Sequence, residues 1–195
     1  MWVKICGITR YEDARAACGY GADAVGFVLT RSRRRADPDL VGSWIHDIRG
    51  VEKVGVFTDE DPGYIAEISK HLGLDTVQLH APLTPAHRML LDDFRIIAAL
   101  KDAEPGQVPA GIPEDFPCRV LLDPSMGTGR AGDWRRLGIP FILAGGLTPE
   151  NVGQAIAQAG PFGVDVSSGV EEAPGIKDRQ MIQKFIHEAK QEAKK

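Results

Sequence analysis

The 195-residue chain is 43% hydrophobic and 26% charged, with a formal net charge of -4. That balance suits a soluble globular domain and argues against a protein drawn by charge to nucleic acid or to an anionic membrane. No apolar run approaches the ~18 residues a spanning helix needs. The opening Met1-Trp2-Val3-Lys4 passes straight into strand-like sequence without a signal-peptide layout, and Cys6, Cys18 and Cys118 lack CxxC spacing, so a disulfide framework or thiolate zinc site is disfavoured and a reducing, cytoplasmic setting is expected.

In chain order, β-branched apolar runs alternate with amphipathic ones. Val3–Ile8 reads as a short strand; Thr9 is placed to cap a helix through Ala17, with Glu12 as capping-box partner and Gly19 and Gly21 at its end. Ala24–Leu29 is a second strand, followed by an arginine-rich loop and a helix opened by Asp37-Pro38 that is expected to reach Ile48. Glu52–Phe57 is a third strand; Asp61-Pro62 opens a helix that Gly73 ends. Thr76–His80 is a fourth strand, Thr84-Pro85 starts a helix to about Asp92, and Arg95–Leu100 is a fifth strand.

From Ala103 to Pro117 proline is too frequent for a regular helix, so a Pro/Gly-rich loop is expected where a fifth helix would stand. Arg119–Asp123 is a sixth strand and Asp133–Leu137 a short helix. Phe141–Ala144 is a seventh strand, Thr148-Pro149-Glu150 opens a helix to Gln158, and Gly163–Ser167 is an eighth strand. Asp178 caps a last helix that runs into a Lys-rich tail. Eight strand candidates in strict alternation predict a parallel sheet closed into a (β/α)8 TIM barrel, one domain spanning 1–195. No GxGxxG follows the first strand, which weakens a dinucleotide-binding reading.

In such a barrel the chemistry sits at the C-terminal ends of the strands. That rule selects Cys6, the loop Arg31-Ser32-Arg33-Arg34-Arg35, His80, Asp123, Gly145, Gly146, Asp165 and Ser168. Cys6 is a candidate nucleophile or general base, or else a small buried hydrophobe; Lys4 shares its strand face. Asp123 ends an apolar strand, which favours a general acid, although Asp-Pro also opens turns. One arginine of the basic loop could hold a substrate carboxylate. His80 has no metal-ligand partner nearby in sequence and reads as a structural hydrogen-bonding group; Asp165 must be paired or functional. The glycine-rich ends Ala144-Gly145-Gly146 and Ser167-Ser168-Gly169 offer backbone amides without Cβ hindrance. They form a candidate phosphate site, since the loops after strands seven and eight recurrently bind phosphate.

Several of these motifs together resemble a known family. Val3-Lys-Ile-Cys-Gly-Ile-Thr9, Gly21-Ala-Asp-Ala-Val-Gly-Phe-Val28, Lys53-Val-Gly-Val-Phe57, Val77-Gln-Leu-His80, Leu121-Leu-Asp123, Gly127-Thr-Gly129, Leu143-Ala-Gly-Gly-Leu-Thr-Pro-Glu-Asn-Val152 and Val164-Asp-Val-Ser-Ser-Gly-Val-Glu171 are similar to phosphoribosylanthranilate isomerase, from the first strand to the last helix. The resemblance implies an Amadori rearrangement of N-(5'-phosphoribosyl)anthranilate in tryptophan biosynthesis, with no cofactor and no metal. It implies a small phosphoribosyl substrate as partner, and a monomer or homodimer. It assigns catalytic roles to Cys6 and Asp123 and, by aligning Ser32 and Pro38, the anthranilate-binding role to Arg34, with Arg35 the neighbouring choice. Asp165, Gly145, Gly146, Ser168 and Gly169 would bind the rest of the substrate. Met126 stands where the family commonly has Gly, and Ala98 where it commonly has Lys. The related isomerase of histidine biosynthesis resembles this chain in fold but carries aspartate in place of Cys6, so Cys6 favours the tryptophan enzyme. A non-catalytic phosphate binder would need neither Cys6 nor Asp123.

Overall fold

The structure, a computed structural model, describes residues 1–101, 112, 116–124 and 134–194. Its frame is the expected barrel. β1 (Trp2–Cys6), β2 (Ala24–Val28), β3 (Glu52–Phe57), β4 (Thr76–Leu79), β5 (Arg95–Leu100), β6 (Arg119–Leu122), β7 (Phe141–Leu143) and β8 (Gly163–Val166) pair in sequence order, all parallel. β8 returns to β1 through the register Trp2↔Gly163 to Ile5↔Val166, which closes the sheet and leaves no edge. Around it run α1 (Tyr11–Gly19), α2 (Pro38–Gly42), α3 (Pro62–Leu72), α4 (Pro85–Leu90), α5 (Val152–Ala159) and α6 (Arg179–Glu192). The Pro/Gly-rich stretch expected in place of a fifth helix, Ala103 to Pro117, lies mostly outside the described residues; Ile112, Phe116 and Pro117 carry no helix.

Proline and capping residues set several helix starts as their chemistry requires. The carboxylates of Asp37, Asp61 and Asp178 each accept from two backbone amides of the first turn, and Pro38 and Pro62 stand where no amide is needed. Gly73 ends α3 in the left-handed region at φ +60°.

Four expectations change. Thr9 does not cap α1: its hydroxyl donates to the Gly175 carbonyl at 2.5 Å, and the helix begins after Arg10 with no side-chain cap. The helix after Asp37 stops at Gly42, because Trp44 turns inward against Phe27 and Tyr11; a 3-10 turn, Ile45–Asp47, completes the segment. α5 starts at Val152 rather than at Pro149, since the Asn151 side chain folds back onto the Gly146 carbonyl and the Thr148 amide. Trp134–Leu137 form no helix. Between β8 and α6 the chain also makes a 3-10 turn, Ser168–Val170, and a small antiparallel hairpin, β9 (Glu171–Ala173) with β10 (Ile176–Lys177), which the sequence pattern did not announce.

The strand alternation sorts side chains into two compartments. Val3, Ile5, Val120, Leu122, Val164 and Val166 face outward into the layer packed by helices, whereas Ala24, Val54, Ile97, Ala99, Leu121, Ile142 and Ala144 form a separate cluster inside the barrel. Below that inner cluster lies a polar floor at the strand starts. Glu52 accepts from Arg119 and from the Thr76 hydroxyl and pairs with Arg95 at 3.3 Å; the Arg119 guanidinium also lies 5.1 Å from the centroid of the Trp2 ring.

Burial pushes the Glu52 carboxyl up, but the hydrogen bonds from Arg119 and Thr76 and the two arginine charges outweigh it and hold it below the ordinary range. Its stabilising contribution is therefore complete above the unfolded-state pKa and fades as pH falls through the lower folded value. Glu52→Gln should lower unfolding stability by roughly 1–3 kcal/mol at neutral pH. In urea titrations the gap from wild type should shrink below about pH 4; a gap that does not change with pH would refute this account of the floor.

Candidate active site

Above the apolar middle, the same alternation brings polar side chains into the barrel. Trp2, Lys4 and Cys6 share the inner face of β1; Thr76, Gln78 and His80 share that of β4. Lys4 is wholly buried, and its ammonium makes an ion pair with Asp165 Oδ2 on β8 at 3.0 Å and donates to Gln78 Oε1 on β4 at 2.7 Å. β1 and β4 are not neighbours in the sheet, so the second bond spans the barrel interior. Because an ammonium can only donate, Gln78 must turn its carbonyl to Lys4 and its amide to His80, whose Nε2 lies 2.9 Å away. His80 Nε2 then accepts, so the ring is neutral with its proton on Nδ1. Burial and the nearby Lys4 charge lower the His80 pKa, consistent with that form.

Cys6 ends β1 within this network. Gly26 on the adjacent strand makes room for it: a Cβ there would lie 2.8 Å from both Cys6 Sγ and Lys4 Cε. The thiol and the lysine stem thus fill the space a side chain on β2 would take. Burial pushes the Cys6 thiol above its ordinary pKa and Asp165 adds to that, while Lys4 and Lys177 pull the other way and only partly offset it. Burial likewise acts against the Lys4 ammonium, but the Asp165 and Cys6 charges outweigh it and keep Lys4 above the usual lysine value.

Asp123 follows β6 with its amide bonded to the Leu100 carbonyl at 2.8 Å, and is 8% exposed, as is Asp165. Asp165 Oδ2 belongs to Lys4, but Oδ1 is buried with no hydrogen-bond partner among the described residues. A buried carboxylate oxygen in that position is open to a donor from water or from a ligand. Ser167 Oγ is in the same state.

The arginine loop resolves into unequal parts. The Ser32 hydroxyl accepts from the Arg34 amide at 3.1 Å, and Arg34 lines the cavity. Arg35 sits in a bridge to Val28 and is exposed, outside the cavity lining. Arg34 Nε donates to both carboxylate oxygens of Glu171 at 2.9 and 3.0 Å, and Lys177 Nζ donates to Glu171 Oε1 at 2.9 Å and to the Ser167 carbonyl at 3.0 Å. These contacts, with burial opposing them, hold the Glu171 carboxyl below its ordinary range; burial pulls Lys177 down more than Glu171 lifts it.

At the ends of β7 and β8 the glycines are required by backbone geometry. Gly145 and Gly146 take φ of +87° and +66°, and a Cβ on Gly169 would collide with the Leu147 carbonyl. The segments that follow β7 and β8 thereby approach each other more closely than a side chain at Gly169 would permit.

Cys6, Arg34, His80, Asp123, Gly145, Gly146, Asp165, Ser168 and Gly169 all line a common cavity at the C-terminal mouth of the barrel. The stretch Met126-Gly127-Thr128-Gly129 lies outside the described residues. Residue-by-residue reading of the sequence missed Gln78, Glu171, Lys177, Gly26 and the hydroxyl of Ser167. The period-two polar run Thr76, Gln78, His80 carried a signal for the first; nothing local marks Lys177, whose burial depends on the hairpin. Among the described residues no cluster of His, Cys, Asp and Glu could hold a metal ion.

Comparison with known proteins finds the same barrel in a family of related sequences. Residues 3–188 match the family model of N-(5'phosphoribosyl)anthranilate (PRA) isomerase. An N-(5'-phosphoribosyl)anthranilate isomerase of Geobacter sp. (strain M21) is 40% identical over 200 residues, covering 96% of this chain and 97% of the relative. The crystal structure of phosphoribosyl anthranilate isomerase from Thermotoga maritima superposes with a TM-score of 0.84 at 34% identity, over 98% of this chain and 99% of that one. A crystal structure of phosphoribosyl anthranilate isomerase in complex with reduced 1-(o-carboxyphenylamino)-1-deoxyribulose 5-phosphate gives a TM-score of 0.82, also at 34% identity and with the same coverage. On its sequence, its closed barrel and the furnishing of the barrel mouth, the chain belongs to the N-(5'-phosphoribosyl)anthranilate isomerase family of tryptophan biosynthesis.

Proposed function

We propose that the barrel mouth carries out the family's Amadori rearrangement by general acid–base catalysis, with Asp123 as acid and Cys6 as base. Asp123, protonated, donates to the ribose ring oxygen; the C1–O bond breaks and the ring opens to a protonated Schiff base. The Cys6 thiolate removes the proton from C2, and the electron pair moves through C1 to the nitrogen, giving an enolamine. Tautomerisation, in which the C2 hydroxyl loses its proton as C1 gains one, yields the aminoketose. Substrate and product are isomers, so no oxidant or reductant enters. Arg34 holds the anthranilate carboxylate, the amides around Gly145, Gly146, Ser168 and Gly169 hold the phosphate, and Asp165 Oδ1 accepts from a ribose hydroxyl. Binding at both charged ends fixes the ribose between acid and base.

The observation that carries this reading is the convergence of Cys6 and Asp123, from strands on different sides of the barrel, on the cavity that Arg34 and both glycine ends also line. Lys4 supports the base: a thiolate formed beside a buried ammonium is easier to reach than one formed in an apolar interior.

The direct test follows loss of phosphoribosylanthranilate fluorescence with no added metal. Cys6→Ala and Asp123→Asn should each lose at least about two orders of magnitude in turnover; near-normal rates in either would remove the role assigned to it. Arg34→Ala should chiefly raise KM while Arg35→Ala changes it little, and the reverse ranking would shift the carboxylate site by one residue. The pH profile tests the base separately. A base works deprotonated, so activity should climb as pH rises through the Cys6 pKa, which burial sets above the ordinary thiol value. Lys4→Met removes the charge that opposes that rise and should move the ascending limb of kcat/KM to higher pH; an unmoved limb would mean that Lys4 does not act on the thiol.

A further inference from the structure

Arg34 reaches into the mouth on a long, flexible stem, yet a carboxylate-binding arginine works best when its fork is held before the ligand arrives. Glu171, on the hairpin between β8 and α6, meets it from behind. Both Glu171 oxygens engage Nε alone, and among the described residues neither Nη1 nor Nη2 has a protein acceptor. The guanidinium edge formed by Nη1 and Nη2 is thus left for a planar anion, in the geometry that suits a carboxylate. Neither Glu171 nor Lys177 lines the cavity.

Glu171 is itself held. Its side chain is 5% exposed, and it accepts from the Gly175 amide at 3.1 Å and from Lys177 Nζ, while the Lys177 amide donates to the buried Asp13 on α1. The Arg34 stem lies over Gly7, where a Cβ would sit 3.1 Å from Cδ and 2.9 Å from Ser167 Oγ. Charge matters as well as shape. A glutamate beside the anion site would repel a carboxylate, and Lys177 neutralises it, so that Arg34, Glu171 and Lys177 together keep one positive charge facing the substrate.

We propose that Glu171 is a positioning residue for the reaction: with Lys177 as its counter-charge, it holds Arg34 by Nε so that the free edge of the guanidinium is preset for the carboxylate of the aromatic ring. The inference rests on the reading of Arg34 as the carboxylate-binding residue. It assigns the small hairpin a part in substrate binding, since the hairpin carries both charges.

Steady-state kinetics on the full chain test it by a double-mutant cycle. Glu171→Gln should raise KM about tenfold, the scale of one charge-assisted hydrogen bond, with kcat within about threefold of wild type. In an Arg34→Ala background the same change should add no more than about twofold, because the group it acts through is gone. A full, additive loss in that background, or a fall in kcat equal to that in kcat/KM, would overturn the inference. An unchanged KM in Arg34→Ala alone would instead overturn the reading of Arg34 itself. Should Glu171→Gln fail to fold with Lys177 left unpaired, Glu171→Asp keeps the charge and draws the carboxylate back by one methylene. It should raise KM in the same direction, and a wild-type KM in that variant would equally overturn the proposal.

Discussion

The buried Lys4 ammonium is the constraint on which the upper half of the barrel depends. Moving an ammonium out of water costs several kcal/mol even after relaxation, and Lys4 is 0% exposed. The offset comes from two directions at once, Asp165 on the adjacent β8 and Gln78 on β4. Because the partners come from different strands, the charge can be satisfied only when the barrel is closed. Asp165 is thereby oriented with one oxygen spent and the other turned loose, Gln78 is fixed in its flip, and His80 is fixed in its tautomer. One cation orders three neighbours, and the thiol beside it titrates in the field they create.

The hairpin between β8 and α6 does for the rim what Lys4 does for the interior. Thr9, at the end of the β1–α1 link, bonds the Gly175 carbonyl, Asp13 on α1 binds the Lys177 amide, and Glu171 binds Arg34 of the β2–α2 loop. Two stretches distant in sequence from it, the β1–α1 link with the first turn of α1 and the β2–α2 loop, are tied through seven residues of hairpin, Glu171 to Lys177. The same tie explains why α1 begins without its expected cap: the threonine hydroxyl has a partner elsewhere.

The barrel was legible in the sequence because alternation of strand and helix is a local signal repeated along the chain, and because Pro38, Pro62, Asp61 and Asp178 mark helix starts by rules that need no tertiary context. The placement of Cys6 and Asp123 at the barrel mouth was legible because each stands at a strand's C-terminal end, and those ends in a barrel face that mouth. What escaped was set by contacts between segments far apart in sequence. Trp44 breaks a helix because Phe27 and Tyr11 offer it a surface. Asn151 delays another because two backbone groups of the preceding loop need it. Glu171 and Lys177 look like ordinary surface charges until the hairpin folds them inward. The choice between Arg34 and Arg35 is likewise a matter of which one the bridge at Val28 leaves pointing into the mouth.

The inner barrel is stacked as a polar floor around Glu52, an apolar middle from Ala24 to Ile142, and a polar roof around Lys4. The middle layer is a spacer. Among the described residues the floor and the roof share no hydrogen-bond or ion-pair partner across it, a condition that favours additive effects of substitutions. A change confined to the floor therefore leaves the contacts of Lys4, and of the thiol beside it, in place. A short barrel built this way separates robustness from chemistry within a single core.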